Sequence, residues 1–84
     1  MRQTLIAGNW KMNGLTADLE WADALMAALP DGPGVRAAVL CPPATLISSF
    51  AARLPSWVSL GGQDCAAAAC GAHTGDVAAR MLAD

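Results

Sequence analysis

Gly8-Asn9-Trp10-Lys11-Met12-Asn13-Gly14 decides how the rest of this 84-residue chain is read. A short apolar run, Thr4-Leu5-Ile6-Ala7, precedes it, and an amphipathic stretch opens near Thr16. The seven residues therefore fall at the C-terminal end of a strand, on the way into a helix. That end of a parallel α/β sheet is where ligands bind. Lys11 is the only lysine of the chain and stands among two asparagines and two glycines. A lone cation with amide neighbours, on a backbone that glycine lets turn, suits an anionic ligand. The competing reading is a loop lysine that is merely solvated.

Beyond the loop, Leu19, Ala22, Leu25, Met26 and Leu29 recur at helical spacing, with Thr16 as N-cap and Asp18 and Glu20 at the positive end of the helix dipole. Pro30-Asp31-Gly32-Pro33-Gly34 ends that helix. Val35 to Cys41 reads as a second strand, apolar apart from Arg36, of the kind covered on both faces in a parallel sheet. Pro42-Pro43 starts a second helix with Leu46, Ile47, Phe50 and Leu54 as its buried stripe, stopped by Pro55. Trp57 to Leu60 is a third strand, closed by Gly61-Gly62. A glycine- and alanine-rich loop then runs from Gln63 to Gly75, and Asp76 caps a last helix over Val77 to Ala83. The order β-α-β-α-β-loop-α implies right-handed crossovers and a parallel sheet without an internal domain boundary.

Composition narrows the functions. The chain is 55% hydrophobic but only 5% aromatic, and much of the apolar share is alanine, which buries little area. A net charge of -2 gives no basic footprint for nucleic acid or an anionic membrane surface. No stretch reaches the ~18 apolar residues of a membrane span. The apolar run after Met1-Arg2-Gln3 is too short for a signal peptide. With three cysteines, Cys41, Cys65 and Cys70, the reading is a reducing cytoplasm with free thiols.

Periodicity alone does not separate the start of a (β/α)8 barrel from that of a doubly wound sheet. The first loop lacks the G-x-G-x-x-G of a dinucleotide site, and Lys11 precedes Gly14 without the Gly-Lys-Ser/Thr of a P-loop. Read as a string, GNWKMNG after a first strand closely resembles the first strand–helix loop of triosephosphate isomerase. Cys41-Pro42-Pro43 and Gly71-Ala72-His73-Thr74-Gly75-Asp76 are similar to further family elements, in the same order. The resemblance spans the whole chain but about a third of a barrel of about 250 residues. It implies that residues 1–84 form an incomplete barrel domain, the first three strand–helix units.

Several expectations follow from the resemblance. The family interconverts dihydroxyacetone phosphate and glyceraldehyde 3-phosphate through an enediolate, without metal or organic cofactor. A glutamate takes the proton and a neutral histidine polarises the carbonyl. Lys11 is implied as the active-site lysine and Asn9 as a substrate-contacting amide; the alternative for Asn9 is a turn residue bonding its own backbone. Trp10, Met12 and Asn13 are read as support. The only glutamate, Glu20, and the only histidine, His73, match neither the base nor the electrophile, so this stretch alone is expected to be inactive. The 63–76 loop is implied as the homodimer finger, with Thr74, Gly75 and Asp76 at its tip. Cys65, Cys70, His73 and Asp76 make a C-x4-C-x2-H-x2-D pattern, but zinc sites favour tighter C-x2-C pairs, so no metal is expected. Two other classes compete: a non-catalytic fragment that only associates, with a complement or with itself, and a phosphate-binding module of doubly wound type.

Overall fold

The computed structural model describes residues 2–84. Three parallel strands, β1 (Leu5–Asn9), β2 (Ala37–Cys41) and β3 (Val58–Leu60), form one sheet in the order β1-β2-β3. Helices α1 (Glu20–Ala28), α2 (Ala44–Ala51) and α3 (Ala79–Ala83) follow them in turn. Register pairs Ile6 with Ala38 and Ala38 with Val58, and likewise Gly8 with Leu40 and Leu40 with Leu60. Side chains alternate along a strand, so these positions share the face on which the helices pack. The core gathers there: Leu19, Ala22, Leu40, Leu46 and Phe50 are buried, with Trp10, Leu54, Val58 and Leu60 against them.

The opposite face carries Leu5, Ala7, Asn9, Ala37, Val39, Cys41 and Ser59. None of these is buried. The chain is a slab of 44 × 37 × 20 Å with a radius of gyration of 14.0 Å, against about 12 Å for a compact domain of this length. Strand β2 is thus covered on one face only, where its apolar sequence predicts cover on two.

Element ends differ from the sequence reading for local reasons. Thr16 is not an N-cap: a 3-10 turn over Thr16–Leu19 precedes α1, and Leu15 holds the cap position. The Leu15 N–H donates to the Asp18 carboxylate at 2.7 Å, and the Asp18 N–H returns to the Leu15 carbonyl at 2.9 Å. The Asp18 carboxylate thus returns to the N–H of the cap residue, while no side chain at the cap accepts from the first turn. On α1 only Ala22 is buried; Met26 and Leu29 lie at the open end of the stripe, 44% and 41% exposed. Strand β2 begins at Ala37, whose N–H donates to the carbonyl of Thr4 just before β1, and Val35 is 88% exposed. Trp57 precedes β3 rather than opening it. Pro43 is the N-cap of α2, which ends at Ala51, so Leu54 packs from the following turn. Asp76 does not cap the last helix. The Ala66 N–H donates to the Val77 carbonyl at 2.8 Å and Ala66 pairs with Ala78, so this backbone stays extended and the helix starts at Ala79.

Candidate functional site

All three strands end on the same side, at Asn9, Cys41 and Leu60. The first loop is anchored there when the Trp10 N–H donates to the Cys41 carbonyl at 3.0 Å, continuing the ladder by one step. Lys11 then takes a φ of 56°, and it is the only non-glycine with positive φ among the described residues. A β-carbon in the left-handed region costs ~1–2 kcal/mol, so the conformation persists only where its surroundings impose it. Here they do. The Lys11 N–H donates to Asn9 Oδ1 at 2.7 Å, and its carbonyl accepts from the Asn13 N–H at 2.9 Å and from Gln63 Nε2 at 2.7 Å. Asn13 Nδ2 also donates to the Trp10 carbonyl at 2.8 Å.

Below the loop, the Trp10 ring stands edge-on to Trp21 and to Phe50, at centroid separations of 5.7 and 5.1 Å. Trp21 and Phe50 complete the triangle at 6.3 Å. Edge-to-face pairs add about 0.5–1.5 kcal/mol each beyond the area they bury. Gly14 closes the loop at φ 116°, where a β-carbon would come within 2.9 Å of the Trp10 ring and 3.0 Å of Leu46. The loop thus rests on an aromatic floor and turns off it through a position that only glycine fits.

Asn9 and Lys11 are brought together and both are exposed. Asn9 acts as a turn residue: Oδ1 holds the Lys11 amide, as in an Asx turn, and Nδ2 makes no hydrogen bond to another described residue. The loop's own hydrogen bonds engage the Lys11 backbone and not its ammonium. The loop therefore carries a cation and a neutral donor two residues apart in sequence, chemistry suited to an anionic or carbonyl oxygen.

Thr74, Gly75 and Asp76 form a separate turn. The Asp76 N–H donates to the His73 carbonyl at 3.1 Å, and Gly75 takes φ 86° at the third position, as a type II turn requires. All three are exposed. No hydrogen bond among the described residues joins this turn to Asn9 or Lys11. At its base Cys70, His73, Asp76 and Met81 line one small cavity. Among the described residues no group of three or more His, Cys, Asp or Glu is gathered to hold a metal, and all three cysteines are free thiols.

Sequence reading passed over Gln63, taken there only as the start of a loop. Its Nε2 donates both to the Lys11 carbonyl and to the Cys41 carbonyl, the latter at 3.1 Å. The available signal was its position: an amide side chain just past a strand end, as Asn9 is.

Fold and edge together define a class, a parallel α/β protein with a lysine–asparagine pair at the C-terminal ends of its strands. The triosephosphate isomerase family profile matches residues 4–84. A triosephosphate isomerase from a Bradyrhizobium species is 52% identical over 82 residues, covering 95% of this chain and 33% of that protein. The Jannaschia enzyme of the same name is 54% identical over 89 residues, covering 100% of this chain and 34% of its own length. That of Afipia carboxidovorans is 55% identical over 85 residues, with 95% and 32% covered. The chain belongs to the triosephosphate isomerase family, and its sheet and helices are the N-terminal portion of a (β/α)8 barrel. It spans about a third of the length of the curated relatives it matches.

Proposed function

We propose that residues 1–84 supply the first three strand–helix units of a triosephosphate isomerase, an incomplete barrel domain that carries the electrostatic half of the active site. Lys11 meets the substrate phosphate and the oxygen that gains charge in the enediolate, and Asn9 Nδ2 donates to a substrate oxygen. A cation ~4 Å from a developing anion stabilises it by up to ~4 kcal/mol at an effective dielectric near 20, about three decades of rate. No metal or organic cofactor takes part. The proton-moving glutamate and the polarising histidine come from the rest of the complete barrel, since Glu20 opens a surface helix and His73 sits in the third loop's turn. The 63–76 loop, with Thr74, Gly75 and Asp76 at its tip, docks on a second subunit beside that subunit's first loop. The enzyme works in the cytoplasm, in glycolysis and gluconeogenesis.

One observation carries this reading: Lys11 is the residue held in a left-handed backbone, with both its N–H and its carbonyl fixed by side-chain amides. Such strain is kept at functional positions when the surroundings over-determine it. The test joins these 84 residues to the remainder of the Jannaschia relative and assays isomerisation of triose phosphate. Turnover by the joined barrel and none by the 84 residues alone is the expected result. Lys11→Ala in the joined barrel should lower kcat/KM about a thousandfold. A loss below tenfold would mean that Lys11 does not face the substrate.

The second reading, a fragment whose activity is association alone, draws on the uncovered sheet. Leu5, on the open face of β1, is 63% exposed, and the outer edge of that strand is unpaired. Both readings hold together if the complement that covers the sheet is the rest of the barrel.

A further inference from the structure

The end of β3 reaches across the sheet to the first loop through one side chain. Gln63 Nε2 donates to the Lys11 carbonyl at 2.7 Å and to the Cys41 carbonyl at 3.1 Å. Both partners are acceptors, so only the donor end of the amide can face them, and the orientation of the group is fixed by chemistry. Its two protons tie the ends of all three strands, 52 residues from Lys11 and 22 from Cys41 in sequence. The Lys11 peptide is thereby gripped from both sides, by Asn9 Oδ1 at its N–H and by Gln63 at its carbonyl. The Asn13 N–H alone would leave the carbonyl a local turn contact that moves with the loop.

We infer that Gln63 is a positioning residue: it sets the left-handed backbone of Lys11 and so aims the ammonium, without touching substrate itself. The inference rests on Lys11 being the cation that meets the substrate, as proposed above. A misplacement of a catalytic group by about 1 Å costs up to a hundredfold in rate. Two neutral hydrogen bonds of typical strength correspond to about thirtyfold.

The experiment is a double-mutant cycle in the joined full-length barrel, with Lys11→Ala, Gln63→Met and the pair. Methionine keeps the length and bulk of Gln63 and removes both donors. Expected is a fall in kcat of about tenfold for Gln63→Met, with KM changed less than twofold, and a further fall of less than twofold when Lys11 is already alanine. A residue that merely holds the fold would reduce activity by the same factor in both backgrounds, and that result overturns the inference. So does full activity of Gln63→Met. If Lys11→Ala itself costs nothing, the reading of Lys11 fails first, which separates the two failures. Should Gln63→Met unfold the barrel, Gln63→Asn goes through the same cycle. It keeps the amide on a stem one methylene too short to reach both carbonyls, and the same outcomes decide.

Discussion

Lys11→Gly and Lys11→Ala should lose activity equally and differ in stability, because the two changes separate the ammonium from the backbone that carries it. Both remove the cation, so both lose the same roughly three decades of kcat/KM in the joined barrel. Only glycine also relieves the φ of 56°. The left-handed region costs a residue with a β-carbon ~1–2 kcal/mol, whereas glycine's extra freedom in the unfolded chain takes back ~0.5–1 kcal/mol. Net, Lys11→Gly should be more stable than Lys11→Ala by roughly 0.5–1 kcal/mol, or about 1–4 °C in Tm for a barrel of some 250 residues. Steady-state kinetics and calorimetry on the two variants and the parent measure both quantities. A glycine variant less stable than the alanine one would show that the positive φ is not imposed at a cost, and the argument from strain to function would fall.

Gly14→Ala should destabilise by about 2–4 kcal/mol, since the new methyl meets the Trp10 ring at 2.9 Å in a φ of 116° that alanine avoids. Urea unfolding followed by tryptophan emission reads it, and a change under 0.5 kcal/mol would mean that the aromatic floor yields easily. Thr74→Glu in the joined barrel should weaken dimerisation and activity together, with activity recovering at high protein concentration, because an unpaired carboxylate is costly in an interface. A variant that stays dimeric on dilution with full turnover would make the 63–76 loop a surface excursion only. The 84 residues alone should self-associate or stay loosely folded, since the open face of the sheet and the β1 edge template further pairing. A monomer by sedimentation with a sharp, concentration-independent melt would refute this.

The order of elements and the pairing of Asn9 with Lys11 were legible because both are local. Apolar runs of strand length, proline and glycine stops, and one lysine between amides all lie within a few residues of what they specify. What escaped was decided at a distance. Val35 belongs to an apolar run, yet the ladder on β1 supplies no partner before Ala37. Val77 begins an apolar helical pattern, yet its carbonyl is taken by Ala66. Thr16 has the right hydroxyl for a cap, but the turn already includes it, with Leu15 at the cap and its N–H donating to the Asp18 carboxylate. Gln63 is the largest omission, since nothing in a window around it reveals that its partners lie on β2 and in the first loop.

Those distant bonds also say how much chain the lysine needs around it. Asn9 and Asn13 come with the first loop and fix the Lys11 N–H and one contact to its carbonyl. The aromatic floor adds Phe50 from α2, buried against Trp10. The grip on the carbonyl from outside the loop arrives only with Gln63, after β3. A single strand–helix unit with the same seven residues would therefore have the right side chains on a backbone free to leave the left-handed region, where relaxation is worth ~1–2 kcal/mol. Two strand–helix units and the third strand, as far as Gln63, are the least that bring all of these contacts to Lys11. The left-handed backbone of Lys11 is held by bonds from adjacent strands packed in register as well as by the loop's own residues.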